Sequence, residues 1–218
     1  MKDAGSLRFP PPPAPESGPP VSKGLIGTWL VLICESMLFV GALGAFAVVR
    51  ISEPEWPPVY WIETAVRDAR GDVVRERVRP PKLEPTIPLV NAVVLSAAAG
   101  CAFAATRAAR RRDLRRTRIL LGAVAAFGVA FLGGVAWEVL HEKARGLDVW
   151  SGQYGGMIFL ITFLHAAHVV VGLIWQGFVL APALRPGRTL RPERVEHVGV
   201  YWGFVSVLWW VLVALLLA

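Results

Sequence analysis

Five times along this chain, about 20 or more consecutive residues pass with almost no charge. The runs lie at about 24–49, 86–106, 117–140, 155–181 and 198–218. At about 1.5 Å per helical residue, each can cross a hydrocarbon core of about 30 Å. Such lengths exclude an ordinary soluble core, where apolar faces alternate with polar ones. Composition agrees: 55% of the 218 residues are hydrophobic, nine are Trp, and only 18% are charged. Those charges are crowded between the runs. The expected fold is an all-α integral membrane protein, a bundle of five transmembrane helices. The first run exceeds the core of a cleavable leader and is read as the first span.

Arginine sets the expected orientation. The connection 107–118 carries seven Arg and 185–194 carries four, whereas 141–153 has only Lys143 and Arg145. The connection 50–85 holds seven basic residues, but seven acidic ones balance them. The positive-inside rule then gives an N-in/C-out topology, with the N-terminus cytoplasmic and the C-terminus outside. The net charge of +7 follows from this and from contact with anionic lipid. No aromatic residues are interleaved with the Arg run, so it predicts no nucleic-acid partner.

The remaining segments are short. Residues 1–22 include a Pro run without apolar periodicity, which predicts a disordered cytoplasmic tail ahead of a membrane domain at 23–218. In the outer loop 50–85, Trp56, Tyr60 and Trp61 suit a membrane boundary. The stretch "TAVRDARGDVVRERVR" alternates β-branched and charged residues about Gly71, predicting a small extracytoplasmic β-hairpin. Pro88 falls in the first turn of the second span, where its missing N–H costs little. Cys34 and Cys101 lie in different spans, and neither a disulfide nor a metal motif follows from them.

Polar residues inside the spans carry the functional information. Glu35 sits near the middle of the first span, where an ionised carboxylate would cost at least roughly 2.5–3.5 kcal/mol. It is expected to be protonated, strongly hydrogen-bonded, or turned to water or protein. Thr28 and Ala42 share its face. The residue alone leaves two readings: interhelical glue, or a proton-handling or ligand-contact site. In the fourth span His165 and His168, three apart, project from one face at mid-membrane depth. Neighbours on one helix cannot bind opposite faces of one iron, and His141 and His197 lie at opposite membrane edges. Packed, hydrogen-bonded contacts are therefore favoured over haem ligation. Glu138 reads as an interfacial carboxylate that could approach the histidine pair. Small residues (Gly41, Gly44, Ala97–Gly100, Ala166, Ala167) predict close helix packing.

Together these pieces resemble subunit III of the haem-copper respiratory oxidases, in the five-helix form. The similarity runs over about 24–218. It comprises "GTWLVLICESMLFVGALGAFAVVR" with Glu35 and Arg50, "WPP" at 56–58, and "PLVNAVVLSAAA" with Asn91. It continues with "WE" ending in Glu138, then "YGGMIFLITFLHAAHVVVG" with Tyr154, His165, His168 and Gly172. It closes on "VYWGFVSVLWW" with Tyr201 and Trp202. Departures are Gly203 for a usual His, Ser206 for Asp, Val135 for Gln and Ala92 for Thr, and the hairpin has no place in the pattern.

The resemblance implies an accessory subunit of an oxidoreductase complex, with no catalytic centre, cofactor or metal of its own. Haem and copper are expected in the partner catalytic subunit I. Other oxidase subunits and phospholipids are the further partners implied. Support of proton uptake and of stability during turnover is the implied role. Glu35 matches the family's carbodiimide-reactive glutamate. Glu35, Arg50, Asn91, Glu138, His165, His168, Tyr201 and Trp202 are the candidate lipid or proton-linked contacts. An equivalent subunit of a quinol oxidase or nitric oxide reductase is the nearest alternative. A stand-alone b-type cytochrome and a proton-linked transporter are more remote.

Overall fold

A computed structural model describes residues 23–67, 73–184 and 191–217. The tail 1–22, the turn around Gly71 and part of the 182–197 connection lie outside the described residues. The five runs form helices α1 (Lys23–Ser52), α2 (Thr86–Arg110), α3 (Leu114–Ala144), α4 (Gly152–Leu184) and α5 (Pro192–Leu217). All five are long and apolar enough to cross a membrane. They outlast the apolar runs that announced them. α3, with 31 residues, is about 47 Å long at about 1.5 Å per residue, against about 30 Å of hydrocarbon. The charged ends "RRTR" and "HEKA" are helical but belong to the interfaces.

α2, α3, α4 and α5 close a ring, each helix packing on the next and α5 returning to α2. α1 packs outside this ring, on α4 and α5. Its buried and half-buried positions are Thr28, Leu32, Glu35, Ser36, Phe39, Ala42, Leu43, Phe46 and Val49. They recur at heptad spacing, widened at Ser36 and Leu43 into a stripe that meets both α4 and α5. Trp29, Met37, Val40, Val48 and Ile51 face outward.

Small residues do permit close packing, partly where expected: Ala98 and Ala99 are buried and Ala166 packs on the core. Gly41, Gly44 and Gly100 point away from every neighbour. The close approaches are at Gly128, where an added Cβ would lie 2.7 Å from the Trp202 ring, and at Gly172, 2.6 Å from the Tyr201 ring. A Cβ at Gly134 would overlap the Asn91 side chain. Helix spacing inside the ring is thus set by an aromatic or amide side chain seated on a glycine.

The outer loop contains the expected hairpin, β1 (Tyr60–Arg67) antiparallel to β2 (Val73–Val78). Trp61 faces Arg77 across the strands, with the guanidinium 4.7 Å from the indole centroid. Pairing is irregular between Glu63 and Arg67. The hairpin reaches the bundle where Tyr60 lies against Gly152, whose φ of +69° begins α4. Glycine adopts that conformation without the steric cost other residues carry.

Candidate functional site

The candidate residues form two clusters, one midway along α1 and α4 and one where α3 ends and α4 begins. In the first, His168 Nδ1 lies 2.6 Å from the Leu164 carbonyl oxygen. A carbonyl can only accept, which assigns the proton to Nδ1 and turns Nε2 toward α1. Glu35 Oε1 stands 4.0 Å from that Nε2, beyond direct hydrogen-bond length. Glu35 Oε2 has no hydrogen-bond partner among the described residues. Tyr201 donates its hydroxyl to the His168 carbonyl oxygen at 2.8 Å, and its ring rests on Gly172. Glu35, His168 and Tyr201 therefore join α1, α4 and α5.

His165 behaves differently from its neighbour. It is fully buried, and neither ring nitrogen finds a partner among the described residues. Phe39, Phe131 and Trp209 surround it, with ring centroids 6.1, 5.7 and 4.8 Å away. The expected hydrogen-bonded contact holds for His168 and fails for His165, which sits where α1, α3 and α5 supply aromatic faces. Trp202 is equally buried against Gly128, its indole N–H without a partner among the described residues. Trp209 instead donates to the Pro88 carbonyl oxygen at 3.0 Å. Ser206, which replaces a usual Asp, lies 3.4 Å from the Ser96 hydroxyl.

The second cluster corrects the reading of Glu138. It is not an exposed interfacial carboxylate and does not approach the histidine pair. Only 4% exposed, it accepts a long hydrogen bond from the Asn91 amide at 3.4 Å. Asn91 reaches it by lying across Gly134. One turn further out, Glu142 is also buried and takes both of its oxygens to the Arg145 guanidinium, at 2.9 and 3.0 Å.

Around Glu142, the chain entering α2 is clamped. The Glu84 backbone N–H donates to Glu142 Oε1, and the Leu83 N–H donates to the Tyr154 hydroxyl. Arg145 also donates to the Lys82 carbonyl oxygen. His141 Nε2 is 2.8 Å from Glu84 Oε2. That hydrogen bond, with Arg145 nearby, holds the Glu84 carboxyl below its ordinary range. Arg50 closes α1 over the Trp56 indole at 4.8 Å, and Trp56 stacks edge-on against Phe46 and Tyr154.

The sequence reading missed Glu142, Glu84 and Arg145, because the third span was ended at residue 140. The signal was present: in "WEVLHEKAR" the acids at 138 and 142 are one helical turn apart, and Arg145 follows three residues on. It also missed Gln176, whose buried amide donates to the Leu121 carbonyl oxygen at 2.6 Å. Among the described residues, no three His, Cys, Asp or Glu side chains converge as metal ligands would.

No family model matches the chain. Individual relatives do. The chain is 28% identical over 190 residues to cytochrome c oxidase subunit 3 of a Synechocystis species, covering 86% of this chain and 72% of that protein. It is 26% identical over 197 residues to the Thermostichus vulcanus protein of the same name, covering 88% and 85%. A shorter match, 28% over 83 residues and 38% of this chain, is to a probable quinol oxidase subunit 3 of Staphylococcus aureus. The chain is a divergent member of the haem-copper oxidase subunit III family. As a subunit III-type protein with five apolar helices, it is a multi-pass membrane protein. The motif residues of this subunit III chain are mostly internal: Asn91, Tyr154, His165, Tyr201 and Trp202 are buried. His168 and Glu35 line the α1–α4 seam.

Proposed function

We propose that this chain is the non-catalytic subunit III of a respiratory haem-copper oxidase in a bacterial inner membrane. It lies N-in/C-out, with 1–22 as a cytoplasmic tail and 23–218 as the membrane domain. It packs against the catalytic subunit, which holds haem and copper, and it binds phospholipid. It supports proton uptake and keeps that subunit stable during turnover. One observation carries the reading: similarity to proteins named cytochrome c oxidase subunit 3 over 86–88% of the chain. The physical picture supports it. α1 leaves a broad apolar face open on the outside of the bundle, suited to lipid or a partner helix. Among the described residues, internal polar contacts such as Asn91–Glu138 and Glu142–Arg145 form small separate groups.

The quinol oxidase alternative draws on the partial match to the Staphylococcus aureus protein, and differs only in the electron donor served. Purification of the tagged chain in mild detergent tests the proposal. A much larger, many-helix, haem-containing subunit is expected to accompany it. A colourless chain recovered alone under those conditions would overturn the reading.

A further inference from the structure

At the tight turn between α2 and α3, a cavity of about 380 Å³ is lined by Ala104, Arg107, Ala108, Arg111, Asp113 and Arg116. Residues 104, 107, 108 and 111 follow helical i, i+3, i+4, i+7 spacing, so they share one face of α2. Along that face alanine and arginine alternate, Ala104 lying furthest from the turn and Arg111 at it. Arg116 adds a third from the first turn of α3.

The positive-inside rule accounts for arginine in this connection, but not for three of them around one cavity. Their usual local duties are already filled. Carbonyls in the last turn of α2 are taken by backbone N–H groups of the turn: Arg107 O by Arg111, Ala109 O by Arg112, and Ala108 O by Asp113. Asp113, the lone acid on the wall, accepts from the Arg116 backbone N–H at 2.9 Å and so caps α3. Arg110, on the adjacent side of α2, is neutralised by Glu196 at 2.7 Å. The guanidiniums of Arg107, Arg111 and Arg116 have no such partner among the described residues.

We infer that this cavity binds the phosphate of an anionic phospholipid headgroup, with the glycerol and upper acyl chain along Ala104 and Ala108. Three planar forks with a net charge of about +2 over the cavity suit a phosphate, which accepts paired N–H donors. Each basic residue near a charged bilayer surface contributes on the order of a five-fold gain in binding. The site belongs to the α2–α3 turn alone. It stands whether or not the chain assembles with an oxidase, and whichever side of the membrane the turn occupies.

Native mass spectrometry of the full chain, with whatever co-purifies, in dodecyl maltoside tests this. The probes are dioleoyl phosphatidylglycerol, dioleoyl phosphatidylcholine and inorganic phosphate. Phosphatidylglycerol is expected to bind roughly ten-fold or more tighter than phosphatidylcholine. Arg111→Gln with Arg116→Gln should erase that preference. Arg112→Gln with Arg115→Gln removes the same charge outside the cavity and should leave it within about two-fold. The single variants Arg111→Gln and Arg116→Gln, each losing about five-fold, cover a double variant that fails to fold. Equal binding of the two lipids, or equal loss in both double variants, would overturn the site. Displacement of the lipid by excess inorganic phosphate would overturn the headgroup assignment in favour of a free anion.

Discussion

α1 and the four-helix ring are both apolar helices of spanning length, yet they are held by different means. Within the ring, glycines on one helix receive aromatic or amide side chains of another, as at Gly128–Trp202, Gly134–Asn91 and Gly172–Tyr201. Buried polar ties run between ring helices, from Gln176 to Leu121 and from Trp209 to Pro88. α1 has one heptad-spaced seam, and only Gly24, at its start against the His197 ring, makes a close approach; Gly27, Gly41 and Gly44 face outward. In a bilayer there is no hydrophobic force to drive helices together, so close packing and polar contacts decide cohesion. The ring is therefore the self-supporting part. α1 is the element most dependent on what lies beyond this chain.

The largest test of that contrast is a matched pair of glycine substitutions. Gly172→Val places branched methyls into the Tyr201 ring. Overpacking of this kind costs about 1–3 kcal/mol, and more where a rigid ring cannot move. Gly44→Val meets open space and should fall within about 0.5 kcal/mol of the parent. Unfolding in mixed detergent reports both. Equal losses would mean that α1 is packed as tightly as the ring.

A second test concerns the outer clamp, which fastens the ring where the loop enters α2. Arg145→Ala strands the Glu142 carboxylate, which is 2% exposed. Breaking a fully buried pair costs roughly 3–5 kcal/mol. Arg145 itself is about a third exposed, so a loss of about 2 kcal/mol is expected by the same reasoning. Proteolysis near residues 79–84 should rise in parallel. Unchanged protection would show that Tyr154, Glu142 and His141 anchor the loop without Arg145.

The clamp also gives a pH signature. The Glu84 carboxyl is held below its ordinary value of 4.5, chiefly by the His141 hydrogen bond. A depressed folded-state value means that its contribution is fully present above the ordinary carboxylate range. It is lost as pH falls through the lower, folded value. Thermal unfolding should show Glu84→Gln and the parent drawing together as pH drops below about 4.5. A difference that grows on acidification would reverse the sign and rule out this contact as the cause.

These contrasts also mark what the sequence could tell. The five helices were legible because each apolar run is long enough to admit no other fold. Their ends were not, since hydropathy marks the membrane core while the helix continues into charged interface, as at "HEKA". That extension hid Glu142 and Arg145. Which glycines matter was equally hidden: Gly41 and Gly172 look alike in sequence, and only the facing side chain separates them. The histidine pair shows the same limit. Three-residue spacing correctly put both on one side of α4, but one helical step separates the α1 seam from the aromatic centre. His168 thus meets Glu35 while His165 meets rings.

The smallest effect is expected at the seam itself, from Glu35→Gln. The carboxyl is half-buried, and its nearest polar neighbour, His168 Nε2, is 4.0 Å away. The Gln amide matches its size and can donate toward that acceptor nitrogen without carrying a titratable proton. α1 should remain seated, because Leu32, Phe39 and Phe46 supply its buried contacts. Assembly should therefore survive, with only a modest change in proton-linked stability during turnover. Glu35→Leu separates packing from proton chemistry, since it keeps the bulk and removes every polar option. If Gln and Leu behave alike, the acid serves contact between helices. Should Gln alone abolish electron transfer in an assembled complex, the carboxyl would have to take part in the chemistry, and the accessory reading of this chain would fail.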